Sequence, residues 1–192
     1  MAVKSSFKNM TLCLMAICLV CSALLAGVYA LTAKPIEAAT LAKTNNAIAK
    51  VVPEFDGTPV EKSVSVAGKN YTYYEVAKDG AVAAYAIKAS SVGFGGPLTL
   101  MVGVTVDGVI YNTDVLSQSE TPGLGAKCTE PEFHDRFLNL NPKEKKLAVK
   151  KDGGDIDAIT ASTITSRAYI EAVKNALAAY EQISAEAGNI NE

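Results

Sequence analysis

The stretch Leu98-Thr99-Leu100-Met101-Val102-Gly103-Val104-Thr105-Val106-Asp107-Gly108-Val109-Ile110-Tyr111-Asn112-Thr113-Asp114-Val115 decides the fold. Leu98, Leu100, Val102, Val104 and Val106 recur at every second position and share one face of a strand. Asp107-Gly108 is the strongest hairpin signal in the chain, so Leu98 to Val106 and Val109 to Val115 read as two antiparallel strands.

The same pattern continues upstream. Glu61 to Val66 alternates polar and apolar, and Asn70 to Val76 carries Tyr71, Tyr73 and Tyr74. Asp79-Gly80 is a second turn signal, with Ala81 to Ser90 as the returning strand. Downstream, Glu130 to Leu140 reads as a short helix carrying Phe133, Phe137 and the single histidine, His134. A lone histidine without clustered ligands is given no catalytic role. Leu147 to Val149 has the makings of a short strand, and the basic run Lys143 to Lys151 reads as a solvated face. Arg167 to Gln182 reads as the last helix, with Ile170, Val173, Leu177 and Tyr180 in one apolar stripe and a polar tail from Ala185. The expected fold class is α+β: a twisted, mainly antiparallel sheet with packed helices, preceded by one N-terminal transmembrane helix.

The N-terminal part has a different character. Residues 1–10 carry Lys4 and Lys8 with no acid, and residues 11–31 run without a charge. That length spans a hydrocarbon core of about 30 Å as a helix, and the flanking lysines put the N-terminus in the cytoplasm. A cleaved signal peptide ending at Val28-Tyr29-Ala30 competes, but the apolar run is longer than a signal core. A lipoprotein box at Cys21 fails because Val20 stands where a small residue is needed. Lys34-Pro35 is read as the end of the span, with Pro35 opening a new amphipathic helix that Pro53 stops. The expected organisation is a cytoplasmic N-terminus at 1–10, a span at 11–31, a connecting helix at 32–56, an extracytoplasmic domain at 57–187 and a tail at 188–192.

Composition excludes several classes. The chain has 192 residues, 49% of them apolar, and a net charge of −2, so nothing points to nucleic acid. No glycine-rich loop of the Rossmann or P-loop type is present. Cys13, Cys18 and Cys21 lie in the apolar run and Cys128 stands alone, which supports neither a disulfide framework nor a metal site.

Chemistry concentrates in Asp157-Ala158-Ile159-Thr160-Ala161-Ser162-Thr163-Ile164-Thr165-Ser166, just before the last helix. Ser166 is read as its N-cap. The hydroxyls of Thr160, Ser162, Thr163 and Thr165 then cluster where unpaired N–H groups and the helix dipole favour a phosphate. On composition alone, such a run is more often a cap and a turn. Two further loops stand out: Gly93-Phe94-Gly95-Gly96-Pro97, and Glu120-Thr121-Pro122-Gly123-Leu124-Gly125-Ala126-Lys127.

The three together, in this order, resemble the FMN-binding domain family. Asp157 to Ser166 is similar to its flavinylation motif, Asp-x-x-(Ser/Thr)-Gly-Ala-Thr-x-(Ser/Thr)-Ser, with Ala161 for Gly and Ser162 for Ala. Within the family the chain is similar to the branch formed by the G subunits of Rnf-type electron transport complexes. A relative of that branch is the C subunit of the Na+-translocating NADH:quinone reductase. The G-type branch usually has His where this chain has Gln118.

The resemblance implies FMN held by a phosphoester bond to Thr163, attached by a separate flavin transferase that uses FAD. It implies an electron relay among other membrane subunits of a ferredoxin:NAD+ oxidoreductase that moves sodium ions or protons, with no independent catalytic activity. Glu120, Thr121, Gly123, Leu124, Gly125 and Lys127, with Gly95 and Gly96, are candidates to contact the flavin. Thr160, Ser162, Thr165 and Ser166 are candidates to surround the phosphate. Two alternatives stay open. One is a membrane flavoprotein that stands alone or serves as the C-type component of an NADH:quinone reductase. The other is a flavin-free module that keeps the fold.

Overall fold

The computed structural model describes residues 6–190. Five strands run antiparallel in the order of the chain: β1 (Asp56–Val66), β2 (Lys69–Lys78), β3 (Ala81–Val92), β4 (Pro97–Thr105) and β5 (Ile110–Ser117). Each pairs with its sequence neighbour, so tight turns can make every connection up to β5. Asp79 and Gly80 both adopt positive φ, 54° and 81°, as the tightest hairpin turns require. Ala67 and Gly68 do the same between β1 and β2, at 50° and 77°.

The alternation of side chains divides the core between the two faces of the sheet. On one face, Tyr85, Ile87 and Ala89 of β3 and Leu98, Leu100, Val102 and Val104 of β4 meet Tyr169, Ile170, Val173, Ala176 and Ile183. These last residues belong to the long C-terminal helix. On the other face, Ala84, Ala86 and Met101 meet Ala47, Ile48 and Val51. Val106 leaves the pattern: it sits beyond the end of β4, in the turn, and is half exposed.

The N-terminal helix, α1, runs without a break from Phe7 to Val51 with Pro35 inside it. The expected division at Lys34-Pro35 into a span and a separate helix is therefore corrected. Proline removes one backbone hydrogen bond and crowds the preceding turn. One such loss does not end a helix of 45 residues with strong helix formers on both sides. The residues up to Lys43 form a compact unit of their own. Its apolar side chains, such as Leu12, Leu19, Leu24 and Leu31, are uncovered, and the segment is long and apolar enough to cross a membrane. The last turns of α1, from Thr44, belong with the sheet.

Three further corrections concern the C-terminal half. The helix expected over Glu130 to Leu140 is one short turn, α2 (Pro131–His134), continued by a tighter turn over Asp135–Phe137. It ends where Leu138 turns to an extended conformation, with ψ 125°. Val149 makes a single bridge to Ile156 rather than a strand. The last helix, α3 (Thr163–Ile190), begins three residues before the expected Ser166 cap and runs through most of the expected tail. Ala185, Glu186 and Ala187 are good helix formers, so nothing in them ends it.

Candidate functional site

The start of α3 is fixed by a turn over residues 159–162, closed by the Ser162 N–H donating to the Ile159 carbonyl at 3.0 Å. Ala161 occupies the third position of that turn with φ 60°, in the left-handed region. Glycine is the usual residue there because it has no Cβ to clash. The first helical hydrogen bond runs from Ser166 N to Ser162 O at 3.0 Å, so Ser162 is the cap residue and Thr163 the first residue of the helix. Helix geometry leaves the N–H groups of Thr163, Ile164 and Thr165 without partners inside the helix.

Ser166 has a structural task. Its hydroxyl accepts the Ile159 N–H at 2.8 Å and donates to the Ser162 carbonyl at 3.0 Å, which ties the turn to the helix it precedes. Ser166 is fully buried, and so is Thr165 apart from 1% of its surface. Thr163 is half-buried and Thr160 exposed.

A cleft of about 370 Å³ opens over this helix start. Phe94, Glu120, Thr121, Leu124 and Gly125 form one side, and Ala161 to Thr165 the other. Glu120 is 6% exposed and joins the walls. Its Oε2 accepts from the Thr165 hydroxyl at 2.7 Å, and its Oε1 accepts from the Gly95 N–H at 3.2 Å. Its own N–H donates to Gln118 Oε1 at 2.6 Å. Gln118, where the resemblance has histidine, thus caps the loop that aims Glu120. Gly125 is needed for the same junction: a Cβ there would lie 2.5 Å from Glu120 Oε2 and 2.6 Å from Thr165 Oγ1.

The expected site residues separate into four groups. Glu120, Thr121, Leu124, Gly125, Ser162, Thr163 and Thr165 line the cleft. Gly95 and Gly96 pack instead against the chain at Ser119, where a Cβ on Gly95 would overlap the Ser119 carbonyl oxygen. They let the first glycine loop lie against the second and do not line the cleft. Lys127 and Thr160 border a smaller hollow of about 90 Å³ beside Arg136. Gly123, with φ 75°, turns the loop rather than lining the cleft, and Ser166 lies behind it. Phe94, Ala161 and Ile164 are cleft residues that motif reading passes over. For Phe94 and Ile164 the signal is a large apolar side chain inside a glycine loop or a hydroxyl run, and both are exposed, at 70% and 51%.

Behind the cleft, Cys128 is fully buried. Burial, helped by the nearby Glu120 charge, pushes its thiol up to about 11. Tyr169 is fully buried as well, and its phenol is pushed far above the ordinary range by desolvation. Among the described residues, no group of three or more His, Cys, Asp or Glu side chains could hold a metal ion.

Comparison with known proteins gives this geometry a context. Residues 93–178, which contain both glycine loops and the start of α3, match the FMN-binding domain family, and residues 1–51 match the RnfG N-terminal region. The G subunit of an ion-translocating oxidoreductase complex from Haemophilus influenzae is 34% identical over 82% of this chain and 82% of its own. The chain belongs to the RnfG family. The G subunit of a proton-translocating ferredoxin:NAD(+) oxidoreductase complex from Clostridium ljungdahlii is 33% identical over 88% of this chain and 87% of its own. A Na(+)-translocating counterpart from Acetobacterium woodii is 32% identical over 80% of this chain and 81% of its own.

The fold recurs in the crystal structure of the C subunit of the Na(+)-translocating NADH-quinone reductase from Parabacteroides distasonis. Its TM-score is 0.51 at 24% identity, covering 74% of this chain and 83% of that one. Membership of the RnfG family, with one exposed apolar helix, makes this a membrane-anchored protein.

Proposed function

We propose that this chain is the electron-relay subunit of an Rnf-type ion-translocating complex, carrying FMN esterified to Thr163. The observation that carries the reading is the position of Thr163: the first residue of a long helix, half-buried, on the wall of a cleft whose other wall is the second glycine loop.

The residues fit the group. A phosphate on Thr163 Oγ1 would lie at the unpaired N–H groups of Thr163, Ile164 and Thr165, where the helix dipole favours negative charge. Phe94, Leu124 and Ile164 give the cleft apolar surface suited to a flat ring system. Bound FMN supplies one- and two-electron transfer, which no side chain offers. The chain's own residues bind and orient. Thr163 is the tether, and Glu120 and Thr165 hold the two walls at a fixed spacing.

Attachment is a group transfer onto the Thr163 hydroxyl. Its oxygen forms the bond to the FMN phosphorus, the pyrophosphate bond of FAD breaks, adenosine monophosphate leaves and the hydroxyl proton is released. A separate flavin transferase performs this step. The lysine-flanked N-terminus faces the cytoplasm and the cleft the other side of the membrane, where a covalent bond keeps a cofactor that would otherwise be lost. The partners are the other membrane subunits of the complex.

The test is the mass of the full chain co-expressed with a flavin transferase. An added FMN mass on the peptide containing Thr163, lost in Thr163→Ala, is the expected result. An adduct that persists in Thr163→Ala rejects the assignment.

A further inference from the structure

We infer that the Glu120–Thr165 pair is the latch that presents the Thr163 hydroxyl for modification, with Glu120 and Thr165 acting as positioning residues. The inference rests on the reading of Thr163 as the attachment point. Three segments far apart in sequence meet at one carboxyl group. The first glycine loop donates the Gly95 N–H to Oε1, and the first turn of α3 donates the Thr165 hydroxyl to Oε2. The second glycine loop carries Glu120 itself and leaves room for the contact only because Gly125 has no side chain.

The pairing is oriented by its surroundings. Thr165 lies two residues after Thr163, on the same first turn of α3. Its hydroxyl is buried, and Glu120 is the acceptor that holds it. Gln118 in turn fixes the backbone of Glu120. The turn bearing Thr163 is further constrained from behind by the two hydrogen bonds of Ser166. The acceptor hydroxyl therefore stands on a turn clamped on both sides, although neither clamping group reaches the reacting atoms. Without the latch, the helix start and the loop wall can part. A displacement of about 1 Å at a reacting group can cost about 100-fold in rate.

The experiment measures the initial rate at which flavin transferase and FAD load the full chain in detergent, read by in-gel flavin fluorescence and intact mass. Circular dichroism checks folding. Thr165→Val and Gly125→Ala break the contact by different means, one by removing the donor and the other by inserting a methyl group into it. Both are expected to load at least about tenfold more slowly with the fold retained, whereas Thr165→Ser, which keeps the hydroxyl, loads as the unaltered chain does. Unchanged loading in either Thr165→Val or Gly125→Ala overturns the inference, as does a loss that Thr165→Ser shares. Thr163→Ala runs alongside: an adduct surviving there removes the attachment site itself, a failure distinct from that of the latch.

Discussion

Gly103 of β4 lies so close to Val51 of α1 that a Cβ on the glycine would overlap the Val51 carbonyl oxygen. The last turn of α1 rests directly on the sheet backbone there. Asn112 Nδ2 reaches the Lys50 carbonyl at 3.1 Å, and Lys50 lies 3.6 Å from Asp114 on the same strand, β5. Gly103→Ala must move helix or strand. We expect a loss of about 3 kcal/mol, at the upper end of the cost of overpacking a core. Thermal unfolding of the full chain in detergent measures it, and a midpoint within about 2 °C of the unaltered chain, less than the shift for 1 kcal/mol, would contradict this packing.

Ala161 holds φ 60° in the turn that starts α3. A side chain in the left-handed region costs about 1–2 kcal/mol, which glycine avoids, though glycine also gains freedom in the unfolded chain. Ala161→Gly is expected to stabilise the domain by roughly 0.5–1 kcal/mol, and Ala161→Val to destabilise it by more than that. Unfolding midpoints should rank Gly above Ala above Val. The reverse order would mean that the turn is not left-handed at this position.

The Tyr169 and Thr113 hydroxyls lie 2.7 Å apart in the core. Removing one leaves the other buried without its partner, at about 1–3 kcal/mol, while removing both is close to neutral. Tyr169→Phe and Thr113→Val should each destabilise, and the double variant should be less destabilised than the sum of the two. A double-mutant cycle that closes additively would show the pair to be uncoupled.

Folding favours the neutral thiol of Cys128. Its contribution to stability is present in full below the pKa of an exposed thiol, about 8.5. It is lost as the pH rises through that value toward about 11, the value in the folded chain. Stability should therefore decline over this window more steeply in the unaltered chain than in Cys128→Ala. Parallel pH profiles for the two would place the thiol in contact with water. At pH 8 an alkylating reagent should label Cys128 only on unfolding.

Much of this architecture is legible in the sequence because its signals are local. Alternation marks β1 and β4, the tyrosines mark β2, and the turn signals Asp79-Gly80 and Asp107-Gly108 supply β3 and β5 as returning strands. Ala67-Gly68 makes an equally tight turn without the polar residue that advertises one, because the pairing of β1 with β2 forces Ala67 to φ 50°. The α3 cap is legible in kind but not in position: the sequence reads Ser166 as the cap, whereas the first helical hydrogen bond, from Ser166 N to Ser162 O, puts Ser162 there. Within the site, the motifs mark the loops. The division of labour between Gly95, which packs, and Gly125, which lines the cleft, depends on contacts between residues far apart in the chain. Pro35 misleads because a proline's cost is fixed, whereas the helix around it is long.

The sheet is a meander in which each strand pairs with the one before it, and α3 comes last. During synthesis, β1 to β5 can zip up as they leave the ribosome, since their contacts are short-range. The core face they present is covered in part by Phe133, Phe137 and Leu140, and is completed only when residues beyond 163 arrive. Thr165 meets Glu120 in that same closing event. On the proposed attachment at Thr163, a chain interrupted before α3 therefore offers a maturation enzyme no finished acceptor, so that only completed molecules would be charged.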